Sequence, residues 1–202
     1  MKNLFLLLAT SLLIFSCKKE DNYQPVISIT GDYEKVVSLN GTYTEEGATA
    51  QDNEDGDITD KIVVTGSVDT DNKGEYRIYY DVTDAAGNKA QTAIRFVQVV
   101  NDVDYMMGTY LANPTCSGTS TYHTAVTPST TQNNVIWINR VYNSVSDDPV
   151  MVEVNGTVLT IPQQTIGSDV ISGTGTISGN SFSLNVDFGG YPYNCTIDHS
   201  KL

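Results

Sequence analysis

Along this chain apolar and polar residues alternate in short runs, each bounded by Gly, Asn, Asp or Pro. A period of two sends successive side chains to opposite faces, as in a strand with one side buried and one side wet. The clearest run is Glu75 to Thr83, with Tyr76, Ile78, Tyr80 and Val82 on one face and Arg77, Tyr79 and Asp81 on the other. Comparable runs at 25–29, 35–39, 62–64 and 92–100 predict further strands in the first half. In the second half, strands are predicted at 122–126, 134–141, 150–154, 157–161, 169–177 and 181–188. No useful length shows the 3.6-residue period of a helix. Asn155-Gly156 predicts a two-residue hairpin, because both turn positions favour positive φ, and Ser178-Gly179-Asn180 predicts another tight turn. The fold class expected is therefore all-β: an N-terminal sandwich over 24–100, then a β-meander over 101–202 that closes into a barrel or packs two sheets.

One segment breaks the alternation. Leu4 to Phe15 is apolar apart from Thr10 and Ser11, but its 12 residues are too few for a span that needs about 20. With Lys2 ahead of it, the segment has the form of a cleaved export signal. Ile14-Phe15-Ser16-Cys17 resembles the bacterial lipobox, which implies a lipid on the Cys17 sulfur, cleavage before Cys17 and acylation of the new amine. Residues 1–16 are then the signal peptide, 17–23 a lipidated tether, and the membrane a partner through the anchor. Lys18-Lys19-Glu20-Asp21 resembles the surface-export signal of Bacteroidota lipoproteins, which implies an outer-membrane anchor facing outward.

Charge narrows the partners. A net charge of −13 argues against nucleic acid, which needs basic patches. Composition divides the chain near residue 100: 24–100 holds 14 acidic and 6 basic side chains, whereas 101–202 holds 8 and 2 and is rich in Ser, Thr, Asn and Gly.

In the first half, Glu46-Gly47-Ala48-Thr49-Ala50-Gln51-Asp52, then Asp55-Gly56-Asp57-Ile58-Thr59, then the stretch from Gly74 to Asn88 resemble the bacterial surface immunoglobulin-like domain. Tyr76, two residues after Gly74, suits a tyrosine corner whose hydroxyl bonds back to main chain, and Asp84-Ala85-Ala86-Gly87-Asn88 suits a tight connection. The acidic loop offers calcium ligands at Asp52, Asp55 and Asp57, since hard cations take clustered oxygens, although its spacing is not that of an EF-hand. The structural alternative has Asp55 and Asp57 capping a turn; Asp81 and Asp84 are candidates to approach the loop.

The second half resembles a C-terminal domain recurrent in Bacteroidota lipoproteins, on Gly108-Thr109-Tyr110, Cys116-Ser117-Gly118, the run Val154 to Gln164, the run Gly173 to Asn180, and Tyr193-Asn194-Cys195. That resemblance implies a lipocalin-like or sandwich-like β fold and no chemistry. Export leaves Cys116 and Cys195 as an even pair in an oxidising compartment, the condition for a disulfide. Gly173-Thr174-Gly175 runs into a strand, not a helix N-terminus, so it is not a phosphate loop. His123 and His199 lie in no nucleophile motif, and both are expected at the surface or satisfied. Tyr142, Tyr191 and Tyr193, flanked by Gly, Pro and Asn, are candidate ligand-stacking residues for a glycan or protein. The expectation is a non-catalytic, lipid-anchored surface lipoprotein that binds through its C-terminal domain, with the first domain as spacer. The alternative is a small hydrolase or lipid-binding pocket protein.

Overall fold

A computed structural model describes residues 20–116, 118–141, 148–189 and 194–202. Cys17 and the whole export signal, with Tyr142, Tyr191 and Tyr193, lie outside the described residues. Strands and two short 3-10 turns make up the regular structure, and no described helix is long and apolar enough to cross a membrane.

The first seven strands form two sheets. β1 (Val26–Ile29), β3 (Ala48–Asp52) and β4 (Gly56–Asp57) make the smaller sheet. β2 (Glu34–Ser38), β7 (Ala93–Val100), β6 (Gly74–Asp81) and β5 (Val63–Thr65) make the larger, in that order, with β2 parallel to β7. The alternation read in β6 holds: Ile78, Tyr80 and Val82 are buried while Asp81 faces water. Tyr76 donates its hydroxyl to the Asn72 carbonyl at 2.7 Å, which is the expected corner. β3 was not legible, because Ala48-Thr49-Ala50-Gln51-Asp52 carries so little apolar bulk.

A small apolar cluster of Ala50, Ile58 and Val82 sits between the sheets, and a buried ionic network supplements it. Arg95 on β7 is fully buried, and its Nε donates to Glu45 Oε1 at 3.0 Å. Its Nη2 donates to the Thr30 and Gly47 carbonyls at 2.7 and 3.2 Å, and its Nη1 to the Asp32 carbonyl. The guanidinium thus ties the β1–β2 and β2–β3 connections to the large sheet, using several of its donors at once. Burial pushes the Glu45 carboxyl up, but hydrogen bonds from Tyr43, Tyr80 and the Gly47 amide, with the Arg95 charge, hold it below the usual range.

The last eight strands close into a barrel. β8 (Gly108–Pro114), β9 (Tyr122–Pro128), β10 (Val135–Ile138), β11 (Val150–Asn155), β12 (Val158–Ile166), β13 (Asp169–Ser178), β14 (Ser181–Gly189) and β15 (Asn194–Lys201) pair in chain order, antiparallel throughout. β15 then returns to β8, with His199 opposite Ala112 and Lys201 opposite Tyr110. Closure leaves no free edge. Of the two architectures left open by the sequence, this is the meander barrel.

Its interior is filled by side chains. Ile136, Ile138, Leu159, Ile161, Leu184 and Ile197 are fully buried, and Tyr110 meets Phe182 edge-on with centroids 5.0 Å apart. The disulfide joins Cys116, just past β8, to Cys195 on β15 across a Cα separation of 5.4 Å, so it staples the first and last strands. The expected Asn155-Gly156 loop is displaced by one residue. Asn155 pairs with Val158, and the loop is Gly156-Thr157 with Gly156 at φ 59°; a type II′ turn wants Gly at its first central position. Gly175 serves packing, not phosphate, since a Cβ there would stand 2.2 Å from the Ser183 carbonyl on the neighbouring strand.

Barrel and sandwich meet at a hydrogen-bonded junction. Buried Asn101 donates to the Ser129 and Gln132 carbonyls, each at 2.9 Å, and accepts from the Asn134 amide at 3.0 Å. From the sandwich side, Asn40 donates to the Thr131 carbonyl at 3.2 Å and accepts from the Asn133 amide at 2.9 Å. Lys73 pairs with Asp104, and the Lys73 amide donates to the Thr130 carbonyl at 2.9 Å. Asn40 and Asn134 both sit at φ 58°, a left-handed conformation that Asn tolerates better than other side chains.

Candidate functional site

Strand alternation sends one set of residues on β8, β13, β14 and β15 to the barrel exterior, and there they line a groove of about 560 Å³. Two cross-strand rows build it. In one, Ser178, Ser181, Ser200 and Leu111 are successive register partners; in the other, Thr176, Ser183, Asp198 and Asn113. Neighbouring strands stand about 4.8 Å apart, so each row presents a regular ladder of short side chains. Hydroxyls that both donate and accept, one amide and one carboxylate stand in these rows. Leu111, Phe182 and His199 also line the groove, whose exposed surface is mostly apolar. Sequence reading missed this groove because its members are scattered over four strands, and only the register brings them together.

The two histidines differ at the groove: His199 is among its lining residues with Phe182, and His123 is not. His123 is exposed on β9. His199, expected at the surface or satisfied, is instead buried on the inner face of β15, its ring stacked on Phe182 at 4.2 Å. Its Nδ1 lies 3.1 Å from the Ile197 carbonyl, while Nε2 has no hydrogen-bond partner. Burial holds its pKa down at about 4, so the ring is neutral at pH 7. Inward orientation follows from strand phase: the adjacent Asp198 points out and His199 points in.

In the sandwich, the three acids read as calcium ligands part company. Asp57 accepts from the Thr59 amide at 3.0 Å, and the hydroxyl and amide of Thr59 hold its carboxyl below the usual range. Asp55 accepts from the Ala85 amide at 2.7 Å and pairs with Lys61 at 3.5 Å. Both act as turn and loop ties, the structural alternative weighed above. Asp81 accepts from the Thr92 hydroxyl at 2.5 Å. Only Asp52 meets other acids, and these are Asp84 and Asp21: one carboxylate oxygen from each lies within 4.8 Å of the other two. Asp84 is brought there by the connection from Asp84 to Asn88, in which Gly87 takes φ 98° and Asp84 accepts from the Asn88 amide at 2.8 Å. Asp21 was not anticipated, because it belongs to the tether.

Residues 27–99 match the family described as bacterial surface protein, Ig-like domain. Among solved structures, the lipoprotein BT2262 from Bacteroides thetaiotaomicron aligns at 17% identity over 87% of this chain and 98% of its own, with a TM-score of 0.38. The CBM51-2 and INT domains of Clostridium perfringens ZmpB, solved in complex with GlcNAc, align at 15% identity over 88% of this chain and 43% of theirs, with a TM-score of 0.31. No curated protein matches the chain.

Proposed function

We propose, from the premise that residues 27–99 are an immunoglobulin-like domain of bacterial surface proteins, that the chain is a non-catalytic surface lipoprotein whose barrel binds a glycan. Cys17 carries the lipid anchor at the outer membrane, the sandwich is the stalk, and the junction at Asn101 and Asn40 presents the barrel in a fixed orientation. One observation carries the binding reading: the exterior groove with its two rows of hydroxyl, amide and carboxylate groups. A saccharide offers the complementary array, hydroxyls that donate to Asp198 and accept from Ser, Thr and Asn113. Binding over acid–base catalysis is favoured because His199, the imidazole lining the groove, is buried and, with a pKa of about 4, too weakly basic to take a proton at neutral pH. The filled interior likewise favours an exterior site over a lipocalin-type pocket.

A glycan array probed with the full chain tests this. Asp198→Ala and Asn113→Ala, both at exposed positions, are expected to weaken any captured glycan at least 10-fold, the loss of a hydrogen bond to a charged or polar partner, with circular dichroism unchanged. Tyr191→Ala and Tyr193→Ala, run alongside, test ring stacking from the loop read in the sequence. A glycan bound equally well by both groove variants, or no glycan bound at all, removes the groove from the proposal.

A further inference from the structure

We propose that Asp21, Asp52 and Asp84 form a site for a hard divalent cation, calcium, which ties the N-terminal tether to the immunoglobulin-like sandwich. The site differs from the one read in the sequence, since Asp55 and Asp57 are spent on backbone amides.

Asp52 closes β3 with 9% of its surface exposed. Its Oδ1 accepts from the Glu54 and Asp55 amides, both at 2.9 Å, whereas its Oδ2 is shut off from solvent and has no hydrogen-bond partner. A buried carboxylate oxygen without a donor is costly, and this one sits among two further carboxylates. Asp84 is 7% exposed, and its two oxygens accept from the amide and the side chain of Asn88, each at 2.8 Å. The same Asn88 Nδ2 donates to the Asp21 carbonyl at 3.1 Å, which pins the tether at the cluster.

Among the described residues, no cationic side chain is paired with the three acids: Lys35 pairs with Glu46, Lys61 with Asp55, Lys73 with Asp104 and Arg95 with Glu45. Asp52 and Asp84 are nonetheless held below the usual carboxylate range. Amide hydrogen bonds from Asp55 and Glu54 hold Asp52 low against the opposing charge of Asp84, and for Asp84 the Asn88 bonds outweigh burial. Like charges this close call for a counter-ion. An all-oxygen donor set of carboxylates selects a hard cation such as calcium over soft metals. A cavity of about 500 Å³ lined by Glu20, Asp21, Glu54 and Asp55 opens beside the cluster, wide enough for a hydrated ion to enter. Binding there ties Asp21 of the tether to the sandwich; on the proposed reading of Cys17 as the lipid anchor, extracellular calcium then sets how the stalk stands on the membrane.

Calorimetric titration of the full chain in detergent micelles with CaCl2 tests the site. One ion per chain is expected, with a dissociation constant of about 0.1–1 mM, the range of extracellular modules. At 10 mM calcium the thermal midpoint is expected to rise by roughly 3–10 °C. Asp52→Asn abolishes that rise while leaving the calcium-free midpoint equal or higher, because it removes one of the opposed charges. Asp21→Asn lies on the tether and leaves the sandwich intact, yet weakens binding about 10-fold. Absence of saturable binding by 10 mM, a midpoint shift reproduced by NaCl at equal ionic strength, or unchanged affinity in Asp21→Asn overturns the proposal. None of these readouts depends on a glycan ligand.

Discussion

The sandwich closes its interior around a charged pair, Arg95 with Glu45, where the barrel uses a continuous apolar cluster from Val103 to Ile197 and a disulfide. The contrast follows from geometry. Two sheets of three and four short strands, with residues as small as Ala48 and Ala50 facing inward, enclose too little apolar volume to order the β1–β2 and β2–β3 connections. A fork of guanidinium donors reaches several carbonyls that no apolar side chain could satisfy. An eight-stranded barrel has the opposite economy: all its edges are paired and every inward position can be apolar. The same local device appears in both with different surroundings. Tyr76 and Tyr110 each bond the carbonyl four residues back, Asn72 and Met106, at 2.7 and 2.9 Å, but the first is exposed and the second buried.

The largest test of this comparison is removal of the disulfide. Cys116→Ala with Cys195→Ala opens a loop with a sequence separation of 79, and the chain-entropy account places the loss at about 4.5 kcal/mol. Trp137 is the chain's single tryptophan and lies on β10, so its fluorescence reports barrel unfolding by denaturant. Arg95→Ala is the matching test in the sandwich, where Glu45 is left without its cation and the Thr30 and Asp32 carbonyls lose their donor. Its cost is expected at about 3–5 kcal/mol, read as an earlier far-ultraviolet transition with the Trp137 transition unmoved. Should the two transitions shift together, the junction at Asn101 couples the domains into one cooperative unit, and the comparison becomes one of halves instead of independent domains.

Acid separates the two interiors more gently. His199 is neutral in the fold, with a pKa of about 4 against an ordinary 6.5, so the unfolded chain binds the proton more readily. Its contribution is therefore complete above pH 6.5 and declines as pH falls to 4, by about 3 kcal/mol. Glu45 has the complementary window: held below its ordinary 4.5, it supports the sandwich above that value and loses its contribution only as pH falls further. Trp137-monitored stability should thus fall between pH 6.5 and 4 while the sandwich holds, and His199→Phe should flatten that decline. A flat wild-type profile over this interval would show that the imidazole is protonated in place.

Much of the architecture was legible because strand alternation is a local property. The strands around Tyr76 to Val82 and Ser181 to Phe188, the corner at Tyr76, and the turn at Gly179 follow from residues within a few positions of one another. β3, β4, β8 and β15 escaped, β3 for want of apolar bulk and β15 because Asn194-Cys195-Thr196 begins in polar residues. The acidic cluster was half legible: carboxylate density marked the loop, but which acid faces a neighbour and which caps an amide depends on the fold.

By itself the sequence determined the all-β class and the pairing partners Cys116 and Cys195, since periodicity and cysteine parity need no third dimension. Tertiary structure decided barrel over open sandwich, because closure is a pairing between β8 and β15 at opposite ends of the domain. It also decided the groove and the acidic cluster, whose members are separated in the chain and share nothing but register and proximity. His199 shows the boundary between the two: its neighbours in sequence are Asp198 and Ser200, both at the surface, and one step of strand phase places it in the core.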